Sequence, residues 1–317
     1  MSDIVLSGNY IDRHSLLRVN PEALEEARAD PATRFVAIWQ SQCLVMETRI
    51  ALLTHANIVA YKQYLPDSTL LGKLDDRNVF ALALDTEDEP DFGADSQFVS
   101  LRKISSLLDA ADAGLAAFAK AMVAWQYNHQ HCGVCGSQNL MSEAGFVMAC
   151  KDPVCGHRSF PRLDPAVIVL VHNKDRALLG RQSDWPERRF STIAGFVEPG
   201  ESLEDAIRRE VEEETNIKVG DATYCASQPW PFPAALMIGF HAQGQSEDIR
   251  LNDSELIEAR WVSREEIISG DIFLPTRFSI AYHLVSTWFD QYDGPSLEAL
   301  NLQQPPFHSP GSTDSSK

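Results

Sequence analysis

The chain has 317 residues, of which 44% are hydrophobic, and a formal net charge of −18 at pH 7. This length allows two or three small domains, and the composition is that of a globular protein. The negative charge argues against a broad electrostatic grip on a nucleic-acid backbone or an anionic membrane, although it permits capture of one nucleotide in a local pocket.

We find no recognisable targeting signal or membrane-spanning segment in the sequence. The longest strongly apolar run, Ala166–Val171, is far shorter than the roughly 20 residues of a membrane span. The N-terminus lacks the basic start and long apolar region of a signal peptide. The C-terminal Ser-Ser-Lys differs from the peroxisomal Ser-Lys-Leu signal. We therefore expect a cytoplasmic protein that has no membrane partner.

Residues 1–125 are predicted to form a mixed N-terminal domain. Strand-like segments occur at residues 35–39, 43–46, 79–84 and 98–99, and acidic turns separate some of them. A helix is predicted over residues 107–129, because apolar residues recur there at steps of three and four. The domain contains no catalytic motif that we recognise, and a role as a dimerisation platform is one hypothesis for it.

Four of the six cysteines lie within 24 residues, which indicates a metal site in a chain expected to be cytoplasmic. They form two close pairs about 15 residues apart, a spacing that allows four thiolates to surround one zinc ion. The pattern predicts a zinc ribbon over residues 126–163 with one structural zinc per chain, because four protein ligands leave no open position. His131 and His157 are expected to be solvated neighbours, and an accidental group of free thiols is the alternative. The predicted ligands are Cys132, Cys135, Cys150 and Cys155.

The segment at residues 195–217 reads GFVEPGESLEDAIRREVEEETNI and predicts a loop followed by a helix. Ser202 is the expected N-cap, and Asn216 is expected to end the helix in the left-handed conformation. Three glutamates share one helical face, where like charges repel by a few tenths of a kcal/mol per pair. A divalent cation with oxygen ligands would offset this repulsion, whereas a solvated acidic face is the simpler alternative. The three glutamates are Glu210, Glu213 and Glu214.

This segment resembles the Nudix box, G-x5-E-x7-R-E-U-x-E-E-x-G-U, in which U is aliphatic. Asn216 replaces the second glycine, at a turn position. The resemblance implies a Nudix domain over residues 164–300, an α/β/α sandwich with a mixed sheet. The matching residues are Gly195, Glu201, Arg209, Glu210, Val211, Glu213, Glu214 and Ile217.

Residues 227–233, SQPWPFP, alternate prolines with Trp230 and Phe232. Proline favours an extended chain, so the two rings either form a wall for a nucleotide base or pack a corner of the core. The chain then continues to a predicted amphipathic helix over residues 276–290. The Pro/Ser-rich segment 301–317 is predicted to be a disordered tail.

The SQPWPFP string resembles the SQPWPFPxS signature of NADH pyrophosphatases, with Ala235 in place of the final serine. These proteins also carry an N-terminal domain and a zinc ribbon before the Nudix domain, which implies an overall α+β or α/β fold for this chain. The resemblance adds Glu255 and the backbone carbonyl of Ala194 to the metal ligands Glu210, Glu213 and Glu214. Its implied substrate-binding residues are Phe160, Phe196, Gln228, Pro229, Trp230, Pro231, Phe232, Pro233, Ala234, Ala235 and Ala281.

The expected activity is hydrolysis of the pyrophosphate of NADH or NAD⁺ to AMP and nicotinamide mononucleotide, with Mg²⁺ or Mn²⁺ as cofactor. Arg209 is expected to bridge to Glu201, and Glu213 or Glu214 to accept the proton of water. The resemblance also implies a homodimer. One alternative is a broader ADP-ribose or dinucleotide pyrophosphatase, and a related one is removal of the NAD cap from RNA 5′ ends. A zinc-ribbon nucleic-acid-binding protein with an inactive Nudix domain is a third.

Overall fold

The computed structural model describes residues 4–8, 10–252, 255–300 and 302. These residues form two compact units. Unit 1 runs to Leu163 and also includes Pro229–Ala234, whereas unit 2 comprises Asp164–Gln228 and the described residues from Ala235 onward. The tail predicted at residues 301–317 lies outside the described residues apart from Leu302. No helix in the described part of the chain is both long and apolar enough to cross a membrane.

Unit 1 contains a six-stranded mixed sheet. Its strands are β1 (Arg34–Trp39), β2 (Gln42–Met46), β3 (Arg49–Ile50), β4 (Thr69–Leu74), β5 (Arg77–Leu84) and β6 (Ser96–Ser100). Strand β1 is central in the order β3-β2-β1-β5-β4, parallel to β5 and antiparallel to β2, while β6 pairs with β2. All four strands predicted from the sequence lie in this sheet. Strand β4 was not predicted, because a bulge between Leu70 and Gly72 interrupts its pattern.

Helices complete the N-terminal part of unit 1. They are α1 (Pro21–Ala29), α2 (Leu101–Ile104) and α3 (Ala110–Asn128). Helix α3 begins later than predicted because Asp109 is its N-cap and accepts a hydrogen bond from the Asp112 amide. The buried Asp112 carboxylate accepts hydrogen bonds from the Arg49 side chain at 2.5 Å and from the Ile50 amide at 3.0 Å. These bonds tie α3 to β3.

A small antiparallel sheet forms the ribbon of unit 1. Its strands are β7 (Asn139–Ser142), β8 (Val147–Cys150) and β9 (Arg158–Ser159), with β8 in the middle. The first close pair of cysteines precedes β7, and the second follows from the end of β8. The short sheet therefore brings the two close pairs of cysteines to one end of the ribbon.

Unit 2 contains a second six-stranded sheet. Its strands are β10 (Asp164–Asn173), β11 (Arg176–Arg181), β12 (Ile193–Phe196), β13 (Val219–Trp230), β14 (Ala235–Gly244) and β15 (Glu258–Ser263). The order is β13-β14-β10-β11-β15. Strand β10 is parallel to β14 on one side, and on the other it is antiparallel to β12 in its first half and to β11 in its second half. The sheet is mixed, as predicted.

The helices of unit 2 are α4 (Leu203–Thr215), α5 (Arg264–Ser269) and α6 (Ile280–Phe289). On one sheet face, Val167 and Val169 pack with Ile207 and Val211 of α4. Full burial of such a side chain contributes roughly 1.5–3 kcal/mol. On the opposite face, Ile280 of α6 packs against Gly239 of β14 so closely that an added Cβ would lie 2.8 Å from its Cδ1. The sheet thus lies between α4 and α6, which confirms the predicted sandwich.

Gln228 connects β13 to the start of α6. Its side chain is fully buried. The Nε2 group donates a hydrogen bond to the Phe278 carbonyl at 2.7 Å, and Oε1 accepts one from the Ile280 amide at 2.8 Å. Ser279, between them, is the N-cap of α6 and accepts from the Tyr282 amide. One glutamine therefore satisfies two backbone groups at the entrance to the helix.

We expect Gln228→Leu to destabilise unit 2 by about 1–3 kcal/mol, because two buried backbone groups would lose their partner. Hydrogen–deuterium exchange should become faster at residues 278–284. Gln243→Leu, which changes an exposed glutamine of β14, is the matched control and should leave this exchange unchanged. Equal exchange in the two variants would contradict the role assigned to Gln228.

Candidate active site

The acidic segment of unit 2 runs from strand β12 through a loop into helix α4. Ser202 is the N-cap, and its hydroxyl accepts a hydrogen bond from the Asp205 amide at 3.2 Å. Asn216 is the C-cap and has a left-handed φ of 63°. Both caps agree with the sequence prediction. They fix where the helix starts and stops, and thus which glutamates share its exposed face.

Gly195 of strand β12 lies directly against the Glu210 side chain of helix α4. A Cβ added at this residue would lie 2.0 Å from the carboxylate carbon of Glu210. Such a distance is far below van der Waals contact, so only glycine allows the Glu210 carboxylate to lie directly against this backbone. The approach places that carboxylate beside the backbone that joins Ala194 and Gly195 in strand β12.

Arg209 is bonded to the acidic groups around it through all three of its guanidinium nitrogens. Nε and Nη2 donate to the two carboxylate oxygens of Glu201 at 2.6 and 2.9 Å, the bidentate bridge predicted from the sequence. Nη1 contacts Glu210 at 2.9 Å and Glu213 at 3.1 Å, and Nη2 also donates to the Phe196 carbonyl at 2.9 Å. One side chain thereby joins β12, the loop and α4. The sequence predicted only its bond to Glu201.

The ionisation of the site reflects this network. Hydrogen bonds from Arg209, supported by the Glu198 amide, lower the pKa of Glu201 from 4.5 to about 2. In turn, the hydrogen bonds to Glu201 raise the pKa of Arg209. Burial raises the pKa of Glu210 against the opposing effect of Arg209, and the negative charges of Glu213 and Glu255 add to the rise. A further positive charge beside Glu210 would therefore favour its ionised form.

The remaining predicted metal ligands have different environments. Glu214 is buried, with 4% of its surface exposed, and lies one helical turn after Glu210. Glu213 and Glu255 are exposed. Carboxylate and carbonyl oxygens are the donors that hard divalent cations prefer, so the chemistry of this set fits such an ion. Glu201, Glu210 and Glu213 are turned toward Arg209, as expected for like charges that share a cationic partner.

The four cysteines of the ribbon converge as predicted. Their Sγ atoms all lie within 4.8 Å of one another, with 3.8 Å between Cys132 and Cys155 and 3.4 Å between Cys135 and Cys150. Tetrahedral zinc with Zn–S bonds of about 2.3 Å requires S–S distances of about 3.8 Å. Within the described residues this is the one such group of metal-binding side chains. His131 and His157 are exposed and outside it.

Two similar turns shape the ribbon site. Gly136 and Gly156 both have left-handed φ values, 76° and 57°, and each amide donates back to a carbonyl four residues earlier at 2.9 Å. Hydrogen bonds from Ser137 lower the pKa of Cys135 to about 6. A thiolate is the form that binds zinc. The turn geometry and the lowered pKa of Cys135 favour metal binding, whereas burial raises the pKa of Cys150 to about 12 and so opposes formation of its thiolate.

The SQPWPFP string ends within unit 1. The rings of Trp230 and Phe232 meet edge to face at 5.1 Å. The Arg102 guanidinium lies 4.5 Å from the Phe232 ring centre and 5.7 Å from that of Trp230, and the Lys120 ammonium lies 5.8 Å from Phe232. Pro231 is buried. Sequence reasoning missed both cationic residues, because they are distant in the chain and belong to no motif.

The other predicted substrate residues differ in exposure. Phe160 and Phe196 are each 60% exposed, and the Arg158 guanidinium lies 5.6 Å from the Phe160 ring centre. Ala235 begins β14, opposite Asp164 of β10. Ala281 is buried in the first turn of α6. Phe160 and the residues 229–234 belong to unit 1, and the other predicted contacts belong to unit 2.

We expect the purified protein to contain one zinc ion per chain, and Cys135→Ser to lose it. Three thiolates bind zinc much more weakly than four, and the ribbon would lose its main cross-link. Elemental analysis and ultraviolet circular dichroism would measure metal and folding. Cys225→Ser is the matched control, because Cys225 lies in unit 2 outside the cluster. Full zinc content in Cys135→Ser would contradict the assignment.

We expect the carboxyl carbon of Glu201 to titrate with a midpoint of about 2 in an NMR experiment. Because the folded pKa is depressed, the ionised form stabilises the loop above pH 4.5, and this stabilisation is lost as the pH falls through about 2. Arg209→Lys should move the midpoint toward 4.5, whereas Arg208→Lys, which changes the neighbouring arginine bound to Asp205, should not. An unchanged midpoint in Arg209→Lys would refute the stated cause.

Three domain families match successive parts of the chain. The NADH pyrophosphatase-like rudimentary NUDIX domain matches residues 32–125, the NADH pyrophosphatase zinc ribbon domain matches residues 128–160, and the NUDIX domain matches residues 162–285. They occur in the order that the sequence resemblance implied.

Named relatives match larger parts of the chain, up to 90% of it. NAD-capped RNA hydrolase NudC of Mycobacterium bovis is 37% identical over 301 residues, which cover 90% of this chain and 94% of that protein. Nudix hydrolase 19, chloroplastic, of Arabidopsis thaliana is 39% identical over 61% of this chain and 57% of its own length. NAD-capped RNA hydrolase NUDT12 of Macaca fascicularis is 39% identical over 56% of this chain and 42% of its own length.

The mycobacterial match spans nearly the full length of both chains, and the acidic helix, the four-cysteine cluster and the sandwich fold all agree with it. This chain therefore belongs to the Nudix hydrolases, in the NADH pyrophosphatase family that carries a zinc ribbon.

Proposed function

We propose that this Nudix hydrolase cleaves the pyrophosphate bond of NADH and NAD⁺ to give AMP and nicotinamide mononucleotide. We extend the proposal to the NAD cap at RNA 5′ ends, where the same bond is broken. The observation that carries it is the network in which Arg209 holds Glu201, Glu210 and Glu213, with the Glu210 carboxylate beside the backbone of Gly195. The names of the mycobacterial and macaque relatives support the NAD cap as a substrate.

The proposed cofactor is Mg²⁺ or Mn²⁺, held by Glu210 and Glu214 with help from Glu213, Glu255 and the carbonyl of Ala194. When bound, such a cation neutralises the diphosphate and lowers the pKa of an attacking water molecule. The acidic residues alone would repel a diphosphate, so the cation is needed for binding as well as for chemistry. The ribbon cysteines are proposed to hold zinc in a purely structural role.

The protein groups have separate proposed tasks. Arg209 orients the acidic side chains, and Glu201 orients Arg209 through the bidentate bridge. Glu213 is paired with Arg209 at 3.1 Å, which commits its carboxylate to that cation. We therefore assign to Glu214 the acceptance of the proton from the attacking water. Its position one turn from Glu210 keeps it on the face that carries the other ligands.

Aromatic side chains are the proposed contacts for the bases. Phe160, Phe196 and Trp230 are the proposed stacking residues, and the residues from Pro229 to Ala235 are further proposed substrate contacts. Ala281 contributes through its backbone. Gln228 acts as a positioning residue in this proposal, because its amide is bonded to the backbone at the start of α6.

A second candidate is a broader ADP-ribose or dinucleotide pyrophosphatase. Ala235 favours it, because the signature serine would supply a hydroxyl that alanine lacks. An inactive nucleic-acid-binding protein is the third. It is disfavoured because Glu210, Glu213 and Glu214 are all present, and a lost glutamate is the expected mark of an inactive box.

The proposal also includes a cytoplasmic homodimer that has no membrane partner. The homodimer rests on the resemblance to the family. The N-terminal domain is the proposed dimerisation platform. Sedimentation equilibrium of the full chain tests the assembly, and a monomer at micromolar concentration would refute it.

The substrate proposal is tested by incubating the protein with NADH and Mg²⁺ and separating the products by chromatography. AMP and reduced nicotinamide mononucleotide should form in equal amounts. A panel of NAD⁺, ADP-ribose, diadenosine polyphosphates and NAD-capped RNA ranks the alternatives. Efficient cleavage of ADP-ribose with NADH left intact would favour the broader pyrophosphatase, and no cleavage of any substrate would favour the inactive domain.

We expect Glu214→Gln to lower kcat for NADH on the order of 10²-fold or more, because both a ligand and the proton acceptor are removed. Glu212→Gln is the matched control, since Glu212 is an exposed neighbour on the same helix that does not belong to the predicted site. Circular dichroism should be unchanged in both variants. Near-normal turnover of Glu214→Gln would remove Glu214 from the mechanism.

A further inference from the structure

A pair of arginines in unit 1 lies against two aromatic rings. The Arg13 guanidinium carbon is 3.7 Å from the centre of the Phe118 ring, and that of Arg18 is 3.5 Å from the centre of the Phe146 ring. The two ring centres are 6.2 Å apart. Phe118 belongs to α3 and Phe146 to the ribbon, so the two guanidinium groups form neighbouring cationic positions on one surface. We call this surface the arginine pair.

The arginine pair has no acidic counterpart among the described residues. Neither arginine takes part in an ion pair there, and Arg18 instead donates to the Arg13 carbonyl at 3.2 Å. Burial lowers the pKa of both side chains, and the charge of Arg13 further lowers that of Arg18. Two like charges are thus held together on a protein whose net charge is −18.

Two nitrogen atoms without hydrogen-bond partners accompany this charge. Nε of Arg18 is buried and has no hydrogen-bond partner in the described structure, and the same holds for Nδ1 of His14 between the two arginines. Buried polar groups without partners are uncommon in folded proteins, and these two mark a polar environment whose hydrogen bonding is incomplete, although both atoms are themselves shielded from solvent. Stacking on a ring uses only a face of the guanidinium plane, which leaves the N–H edge for phosphate oxygens.

The segment that carries these donors is held in place at both ends. Asp12 pairs with Lys73 of β4 through two backbone hydrogen bonds of 3.0 and 2.7 Å. At the other end, Asn20 is the N-cap of α1 and accepts from the Ala23 amide. Residues 13–19 therefore present their donors from a fixed backbone, which limits the entropy lost when an anion binds.

We propose that the arginine pair binds successive phosphates of a single-stranded RNA chain, and so holds the body of an NAD-capped RNA. Two cationic forks beside aromatic side chains match a phosphodiester strand, which offers repeated single negative charges and bases that stack on guanidinium planes. The site explains how a strongly acidic protein makes a local contact with RNA without a broad basic surface. The inference deepens the proposed activity on NAD-capped RNA and rests on it.

The test compares RNA binding and catalysis in one set of variants. Arg13→Gln/Arg18→Gln removes both charges, and Arg77→Gln/Lys62→Gln removes two charges from other exposed positions of unit 1. Fluorescence anisotropy of a short, uncapped, unstructured RNA gives Kd at several salt concentrations. The arginine-pair variant should bind at least about fivefold more weakly. The plot of log association constant against log salt concentration should become less steep by about 1.4, because each single-strand phosphate contact contributes about 0.7 to the steepness.

Catalysis provides the second measurement. The arginine-pair variant should keep the parental kcat/KM for NADH, which also shows that it is folded, and should lose several-fold in kcat/KM for NAD-capped RNA. Arg13→Lys/Arg18→Lys keeps the charge but loses the planar fork, so its RNA Kd should lie between those of the parent and the glutamine variant.

The outcomes separate this inference from the proposed function. If the glutamine and control variants have the same RNA Kd and salt slope, the arginine pair does not bind RNA, whatever the enzyme cleaves. If the parent cleaves neither NADH nor NAD-capped RNA, the proposed function fails, while the anisotropy measurement still decides whether the pair binds RNA. If the glutamine variant loses NADH activity, the lysine variant replaces it in the comparison. Parental RNA affinity together with parental turnover of NAD-capped RNA in the variant that is compared would overturn the inference.

Discussion

The chemistry of unit 2 depends on one arginine that holds several carboxylates together. Glu201, Glu210 and Glu213 would repel one another on a short loop and helix, and Arg209 turns that repulsion into a connected network of hydrogen bonds. The network also includes the Phe196 carbonyl, so it joins strand, loop and helix. A flexible lysine could not replace it, because a planar guanidinium donates in several fixed directions at once.

The close approach of Gly195 to Glu210 adds a steric restraint to the hydrogen bonds of this network. Arg209 restrains the carboxylates electrostatically, and the missing side chain of Gly195 lets one of them lie against the strand backbone. Strand β12 is itself held by antiparallel pairing with β10, the central strand of the sheet. The position of Glu210 is therefore determined by the rigid sheet on one side and the capped helix on the other, which is the arrangement a metal-dependent site needs.

The two predicted metal sites are assembled in different ways. The ribbon cysteines are close in sequence, and two glycine-containing turns bring their thiols within 4.8 Å of one another. The carboxylates of unit 2 come from the loop and helix α4, where Arg209 pairs with Glu201, Glu210 and Glu213, and from Glu255 far along the chain. In unit 1, by contrast, three positively charged side chains lie against aromatic rings: Arg13, Arg18 and Arg102. For Arg13 and Arg18, such contacts hold positive charge on a strongly acidic protein without an ion pair among the described residues.

The sequence by itself determined what local spacing controls. Helical periodicity predicted the acidic face, cap chemistry predicted Ser202 and Asn216, and cysteine spacing predicted the ribbon, because each depends on residues a few positions apart. Only the tertiary structure decided the contacts between distant residues. It revealed the Gln228 bonds to the start of α6, the Arg102 contact with the SQPWPFP rings, and the bulged strand β4. The physical reason is that cation–aromatic stacking and buried amide bonds depend on which distant surfaces the fold brings together, and they leave no periodic pattern in the chain.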